Sequence, residues 1–251
     1  MTKIERILIG RIIPFILIFI LFFLFSSLFS FIFAEYDVFR IGSIELPVFQ
    51  TTQALIVFPI IILVSYLIFI RKDVFTWADI GFSKGKEGIW KTIQLGFVGG
   101  VIVALFNFFT IEHFILEEKI VYNFVEKCIF APIWEEFIVR VILLTITEFF
   151  IVTVIKFYFV DNPRYNISDK SKKWITIELY LLLVVLNAFT FVLFHGVTSS
   201  IWIFLSGAVM AIVYLKTRSL IAPVIVHSMH NLVTGGFLFL IIHWLTMIFN
   251  P

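Results

Sequence analysis

The sequence predicts an all-α fold: a polytopic membrane bundle of about eight transmembrane helices. Three observations predict it. Of 251 residues, 61% are hydrophobic and 14% charged, where a soluble domain carries about 25% charged residues and about half apolar ones. Mean hydropathy is +1.08. Asp, Glu, Lys and Arg are absent from whole runs long enough to cross a bilayer, which takes about 20 apolar residues per helix. This balance excludes a soluble enzyme, a disordered chain and a nucleic-acid binder. The net charge of +2 implies no acidic or basic partner, and the single cysteine, Cys128, excludes a disulfide framework and a thiolate metal cluster.

The first span is Ile12–Ala34. It follows Lys3, Arg6 and Arg11, a pattern shared with signal peptides, but the apolar stretch is too long for a signal-peptide core and Ile32 is bulky where a cleavage site needs a small residue. Leu46–Ile70 is the second charge-free run and Thr92–Ile111 the third. Cys128–Phe159 is the fourth, interrupted by Glu135, Glu136, Arg140, Glu148 and Lys156. Leu179–Leu215 is too long for one helix, and His195-Gly196 followed by Thr198-Ser199-Ser200 is its natural break into spans five and six. Ser219–Pro251 is split by Gly235-Gly236 into short spans seven and eight. Arg71–Lys91 reads as a basic loop with an interfacial helix through Trp77 and Trp90, and Glu112–Lys127 as an amphipathic surface segment. The whole, 1–251, reads as a single integral membrane domain, with three N-terminal spans in 1–111 and a motif-bearing core in 131–235.

Lys and Arg cluster before span one, after span two (Arg71, Lys72, Lys84, Lys86, Lys91), after span four (Arg164, Lys170, Lys172, Lys173) and after span six (Lys216, Arg218). The remaining connections are acidic or uncharged. The alternation predicts that both termini are cytoplasmic. That orientation sets Glu135 and His195 toward the non-cytoplasmic half, unless their cavity is deep or Cys128–Phe159 is not one simple span.

An ionisable group inside the bilayer is costly unless paired or hydrated. Glu136 and Arg140 are four apart on one helix and share a face, so they can pair. Glu135 points about 100° away and is left without a local partner; a carboxylate beside a hydrophobic wall suits a general base. The alternative is that both carboxylates simply anchor Arg140. His195 ends span five, where it could equally be an interfacial residue. His227 and Asn231 share a face of span seven and can point two donors at one atom, which is how a developing oxyanion is stabilised; the alternative is hydrogen bonding between helices. His230, His243 and Asn187 read as structural.

Glu135-Glu136-x-x-x-Arg140, Phe191-x-x-x-His195 and His227-x-x-x-Asn231, with the weaker Phe204-x-x-Gly207 ahead of Thr217-Arg218-Ser219-Leu220, resemble the motifs of the CPBP family. These are intramembrane endopeptidases that include CAAX-box proteases of the Rce1 type and bacterial Abi-type bacteriocin-processing and immunity proteins. The resemblance covers Ala131 to about Gly235. Many members have Gly after the arginine, where this chain has Val141. The resemblance implies peptide hydrolysis without a covalent intermediate: Glu135 and His195 would activate water, His227 and Asn231 would hold the oxyanion, and Glu136 and Arg140 would support the site. It implies membrane lipid and a peptide or lipidated protein as partners, either a prenylated protein tail or a bacteriocin- or pheromone-type precursor. Short loops suggest a prokaryotic cell-membrane member.

No cofactor is expected. The rival within enzymes is a zinc peptidase whose ligands would be Glu135, Glu136, His195 and His227; against it stand the absence of a His-Glu-x-x-His pair and the nearby Arg140. The non-enzymatic rivals are a membrane scaffold or immunity protein that keeps the fold, and a proton-coupled carrier.

Overall fold

The computed structural model describes residues 4–5, 8–36, 38–41, 44–108, 120–195 and 200–235. Seven helices stand among them. We number them α1 (Leu8–Ile32), α2 (Val48–Ile70), α3 (Ile89–Phe108), α4 (Tyr122–Val160), α5 (Asp169–His195), α6 (Ser200–Thr217) and α7 (Ile221–Thr234). Five of them, α1 to α5, are long and apolar enough to cross a membrane, while α6 and α7 are shorter. This is the expected all-α polytopic bundle. The end of the third expected span, the Gly196–Ser199 break, the acidic residues of 112–118, and the eighth span with His243 lie outside the described residues.

The first connector holds a short antiparallel hairpin, β1 (Val38–Ile41) and β2 (Ile44–Pro47), in which Arg40 faces and pairs with Glu45. Pro47, extended at ψ 126°, ends the hairpin and starts α2. The basic loop contains turns and not the expected interfacial helix. Gly81 and Gly85 hold φ of +84° and +81°, a conformation that suits a residue without a Cβ. Trp77 stacks on Tyr66 at the end of α2. The loop docks onto the α6–α7 turn: Lys86 N donates to Thr217 O and Leu220 N to Gly81 O, while Ser83 Oγ donates to Arg218 O and Ser219 Oγ to Ser83 O. Arg218, at φ +56°, ends α6, and Pro223 in the first turn of α7 lacks only an N–H that no helix would use there. At the start of α5, Ser168 caps the helix by accepting from Ser171 N.

α4 is the centre. Of its most apolar window 44% is buried, against 28% for α1, α3 and α5, whose remaining faces are left to lipid. It contributes to both large hydrophobic clusters. One joins Phe15 and Phe22 of α1, Ile61 of α2, Phe137 and Ile142 of α4 and Leu183 of α5. The other joins Val103 of α3, Val139 of α4, Phe191 of α5, Met210 of α6 and Val226 of α7. α3 lies close against α7 because Gly96, Gly99 and Gly100 present no side chain: a Cβ on Gly96 would meet Ala222 O at 2.9 Å, and one on Gly100 would meet Met229 Sδ. Small residues at a crossing let two membrane helices approach and gain dispersion contacts. Gly207 does the same for α6 against Phe191 and Ala188 of α5.

Candidate active site

The Glu136–Arg140 spacing of one helical turn forms an ion pair, with Arg140 Nε donating to Glu136 Oε2 at 2.8 Å and both side chains fully buried. The guanidinium also donates to Asn187 Oδ1 on α5 and lies 4.8 Å over the Phe191 ring, a cation–π arrangement. Asn187 in turn donates to Val139 O at 3.0 Å. One planar cation thus ties α4 to α5 and reaches Met210 on α6. A buried charge of this kind is tolerable only when paired and hydrogen-bonded.

The second oxygen of Glu136 lies 2.9 Å from His227 Nδ1. A carboxylate held by Arg140 can only accept, so Nδ1 carries the hydrogen. His195 Nδ1 sits 2.9 Å from Phe191 O, its neighbour one turn back on α5, and donates to that carbonyl for the same reason. Both rings are therefore turned so that Nε2 faces Glu135. Glu135 Oε2 is 3.3 Å from His195 Nε2 and 3.9 Å from His227 Nε2. That oxygen is buried and accepts no well-aligned hydrogen bond among the described residues. The residues of the first two motifs and His227 of the third thus meet, although they come from three helices. Burial falls from His227 through Glu135 to His195, so the group opens on the His195 side.

Asn231 is placed differently. Its Nδ2 donates to Lys127 O on α4 at 2.6 Å, tying α7 to α4 and leaving one amide hydrogen uncommitted among the described residues. His230 faces Ser206 on α6, and Cys128 is a buried free thiol.

Glu135 and His195 line a cavity of about 410 Å³ between α1, α2, α4 and α5. Its walls include Phe22, Phe49, Ile138 and Phe194, with Ser26, Ser27, Gln53 and Trp134 as polar members. Ser26 Oγ donates to Gln53 Oε1 at 2.7 Å. Reading the sequence by motif gave α1 and α2 no part in the site, yet they supply half its wall. The available signal was Gln53 itself, an amide in an otherwise apolar span, which lipid would penalise.

The donor set also fits a metal ion. Glu135, His195 and His227 each offer one ligand atom, all within 4.8 Å of one another. Zinc bonds of about 2.0–2.2 Å require ligand atoms no more than about 4 Å apart, so a small imidazole rotation closes the set. Each histidine already has its Nδ1 anchored, on a carboxylate or a carbonyl, as metal-bound histidines do. Glu136 does not fit the expected ligand set, because its oxygens are taken by Arg140 and His227 Nδ1.

Fold and site define a class: a multi-pass membrane protein with a carboxylate and two imidazoles gathered at a cavity inside the bundle. Residues 117–233 match the model of a family described as type II CAAX prenyl endopeptidase, Rce1-like, which supports the family resemblance that the three motifs carry. The match supports a CAAX-type intramembrane endopeptidase in general terms. No curated protein and no solved structure matches the chain.

Proposed function

We infer that the protein hydrolyses a peptide bond with a water activated by Glu135 and His195. The observation that carries this reading is Glu135 Oε2, buried and accepting no well-aligned hydrogen bond among the described residues, 3.3 Å from His195 Nε2 in a pair that lines a cavity. Water bound against this pair from the cavity side would lose its proton as it attacks the substrate carbonyl, and the same pair would return that proton to the departing amine. The second amide hydrogen of Asn231, and His227 Nε2 when that ring carries hydrogens on both nitrogens, are the donors available to the oxyanion. Glu136 and Arg140 act through His227 by holding its ring. No covalent intermediate is needed.

A prenylated protein tail or a bacteriocin- or pheromone-type precursor is the substrate class, and a prokaryotic cell membrane the setting. Both termini are taken as cytoplasmic: the basic loop, Arg11 with Asp79, and Arg218 with Glu148 gather at one end of the bundle, which the positive-inside tendency assigns to the cytoplasm. Glu135 then lies about 20 Å along α4 from Tyr122, at a depth within the hydrocarbon core.

Incubating the wild type, Glu135→Ala and His195→Ala with a panel of lipidated and leader peptides, with products sized by mass spectrometry, tests this. Both variants should insert, fold and lose cleavage. Proteolysis retained by either one defeats the mechanism. A second reading is favoured by the convergence of the three ligand atoms: a zinc peptidase held by Glu135, His195 and His227. Zinc would supply Lewis-acid chemistry and a nucleophilic water, and Glu136 and Phe191 O would orient the two imidazoles.

A further inference from the structure

Two cavity-wall side chains without a task in the mechanism above also carry a buried polar atom that has no partner among the described residues. Gln53 is 1% exposed, and with Oε1 accepting from Ser26 its Nε2 has no partner among the described residues. Turning the amide over only moves the vacancy to the oxygen, since Ser26 can satisfy one end at a time. The indole Nε1 of Trp134 is also buried without a partner among the described residues, although its ring is well packed, stacked on Phe22 at 6.0 Å and edge-on to Phe49 at 6.1 Å. Both residues line the cavity that holds Glu135 and His195, and Trp134 immediately precedes Glu135 in the chain. Buried polar groups are nearly always hydrogen-bonded. Two unmet groups in one largely apolar cavity wall mark the place where a ligand completes the bonding.

The chemistry of that ligand follows from the pair. Trp134 Nε1–H can only donate, so it needs an acceptor. A purely hydrocarbon occupant would leave both groups unmet at any depth of insertion. A peptide chain offers a carbonyl acceptor and an N–H donor at every residue, and so satisfies Trp134 and either orientation of Gln53. Phe22, Phe49 and Phe194 would then enclose its apolar side chains. We propose that Gln53 and Trp134 form a backbone-gripping subsite that binds the peptide portion of the substrate through its amide groups and presents the scissile bond to Glu135. The proposal rests on the endopeptidase reading for its direction but not for its contacts. Both are positioning residues and take no proton.

The test uses purified protein in detergent micelles carrying Glu135→Gln, so that the probe is not consumed. Calorimetric titration is made with a farnesylated CAAX tetrapeptide and with a farnesyl thioether lacking the peptide. Adding Gln53→Leu or Trp134→Phe should weaken tetrapeptide binding about tenfold each, the size of one lost hydrogen bond, and leave the thioether unchanged. Gln53→Leu should melt no lower than its parent, because removing the unmet buried Nε2 offsets the lost Ser26 hydrogen bond and the volume is kept. In proteins with Glu135 intact, the same substitutions should raise KM and spare kcat. Unchanged tetrapeptide affinity in both variants, equal weakening of both probes, a Gln53→Leu protein that melts lower, or failure of the parent to bind the tetrapeptide each overturns the proposal. Binding that behaves as expected without cleavage by the wild type defeats the endopeptidase reading and leaves this subsite standing.

Discussion

Arg140 is the residue whose loss the fold should feel most, and the reason is its partner. Arg140→Met keeps most of the side-chain volume beside Phe191 and Met210 but leaves the Glu136 carboxylate fully buried with only His227 for company. Breaking a buried pair from one side costs about 3–5 kcal/mol. For a chain of this size each kcal/mol lowers Tm by about 2–4 °C, so the melting temperature should fall by about 6–20 °C. Glu136→Gln alone strands the guanidinium, which keeps Asn187 and the Phe191 face, and should cost less. The double variant Glu136→Gln/Arg140→Met removes both charges at once and should recover most of the loss, to within about 2 kcal/mol of wild type. Melting followed by tryptophan fluorescence in detergent micelles closes the cycle. Cleavage should not recover with stability, because the arginine-held carboxylate that turns His227 is then gone. If the two single losses simply add in the double variant, the pair is not the coupled unit described here, and the claim that Glu136 is held for His227 fails.

Other expectations follow from single contacts. Gly96→Ala places a methyl against the backbone of Ala222, 2.9 Å from its carbonyl oxygen, so α7 must move; overpacking of about 1–3 kcal/mol should lower Tm by about 2–12 °C, and cleavage should fall as His227 shifts. Gly81→Ala combines φ +84° with a Cβ 2.8 Å from Val141 and should loosen the loop from the α6–α7 turn, read as faster proteolytic nicking within 71–88 than in the wild type. Under the water mechanism, extensive chelation should leave cleavage intact and purified protein should carry less than one zinc per chain by elemental analysis; loss of activity restored by added zinc selects the metal reading instead.

Helices were legible because lipid imposes a one-variable test: a run without charge must be helical to satisfy its own backbone. The Glu136–Arg140 pair was legible for a local reason, since i,i+4 spacing alone brings the groups together. Nothing local joins His195 and His227 to Glu135, so the motifs could only suggest that three helices meet. Four kinds of feature were hidden. The loop 71–88 reads as a solvated connector but docks through backbone bonds that any sequence could make. The hairpin at 38–47 is too short to show a period. Asn231 shares a face with His227, as read, yet its partner is the Lys127 carbonyl on another helix, a group no side-chain pattern reveals. Gln53 was visible as an oddity in an apolar run, and only the packing of α1 and α2 against α4 gives it a cavity to face.

Hydrogen accounting narrows what the resting site can contain. With Nδ1 of each imidazole donating to Phe191 O or Glu136, a neutral ring presents a bare Nε2, and two such nitrogens converge on a carboxylate oxygen. Three acceptors this close repel one another unless a positive centre lies among them. One proton shared by Glu135 and His195 meets that need, and so does a metal ion. The two solutions differ in what they ask of His227. To donate to an oxyanion through Nε2 while Nδ1 stays on Glu136, the ring must carry hydrogens on both nitrogens, and the Glu136 carboxylate is the group that makes such a ring tolerable in a buried place. As a metal ligand, His227 must instead keep Nε2 bare. Glu136→Gln separates the cases, since an amide oxygen still accepts from Nδ1 but brings no negative charge. Oxyanion stabilisation by His227 should then weaken, seen as a fall in kcat, whereas a metal-binding imidazole would keep its orientation and its ligand. The second carboxylate of the Glu-Glu motif is thus the residue on which the water and metal readings part.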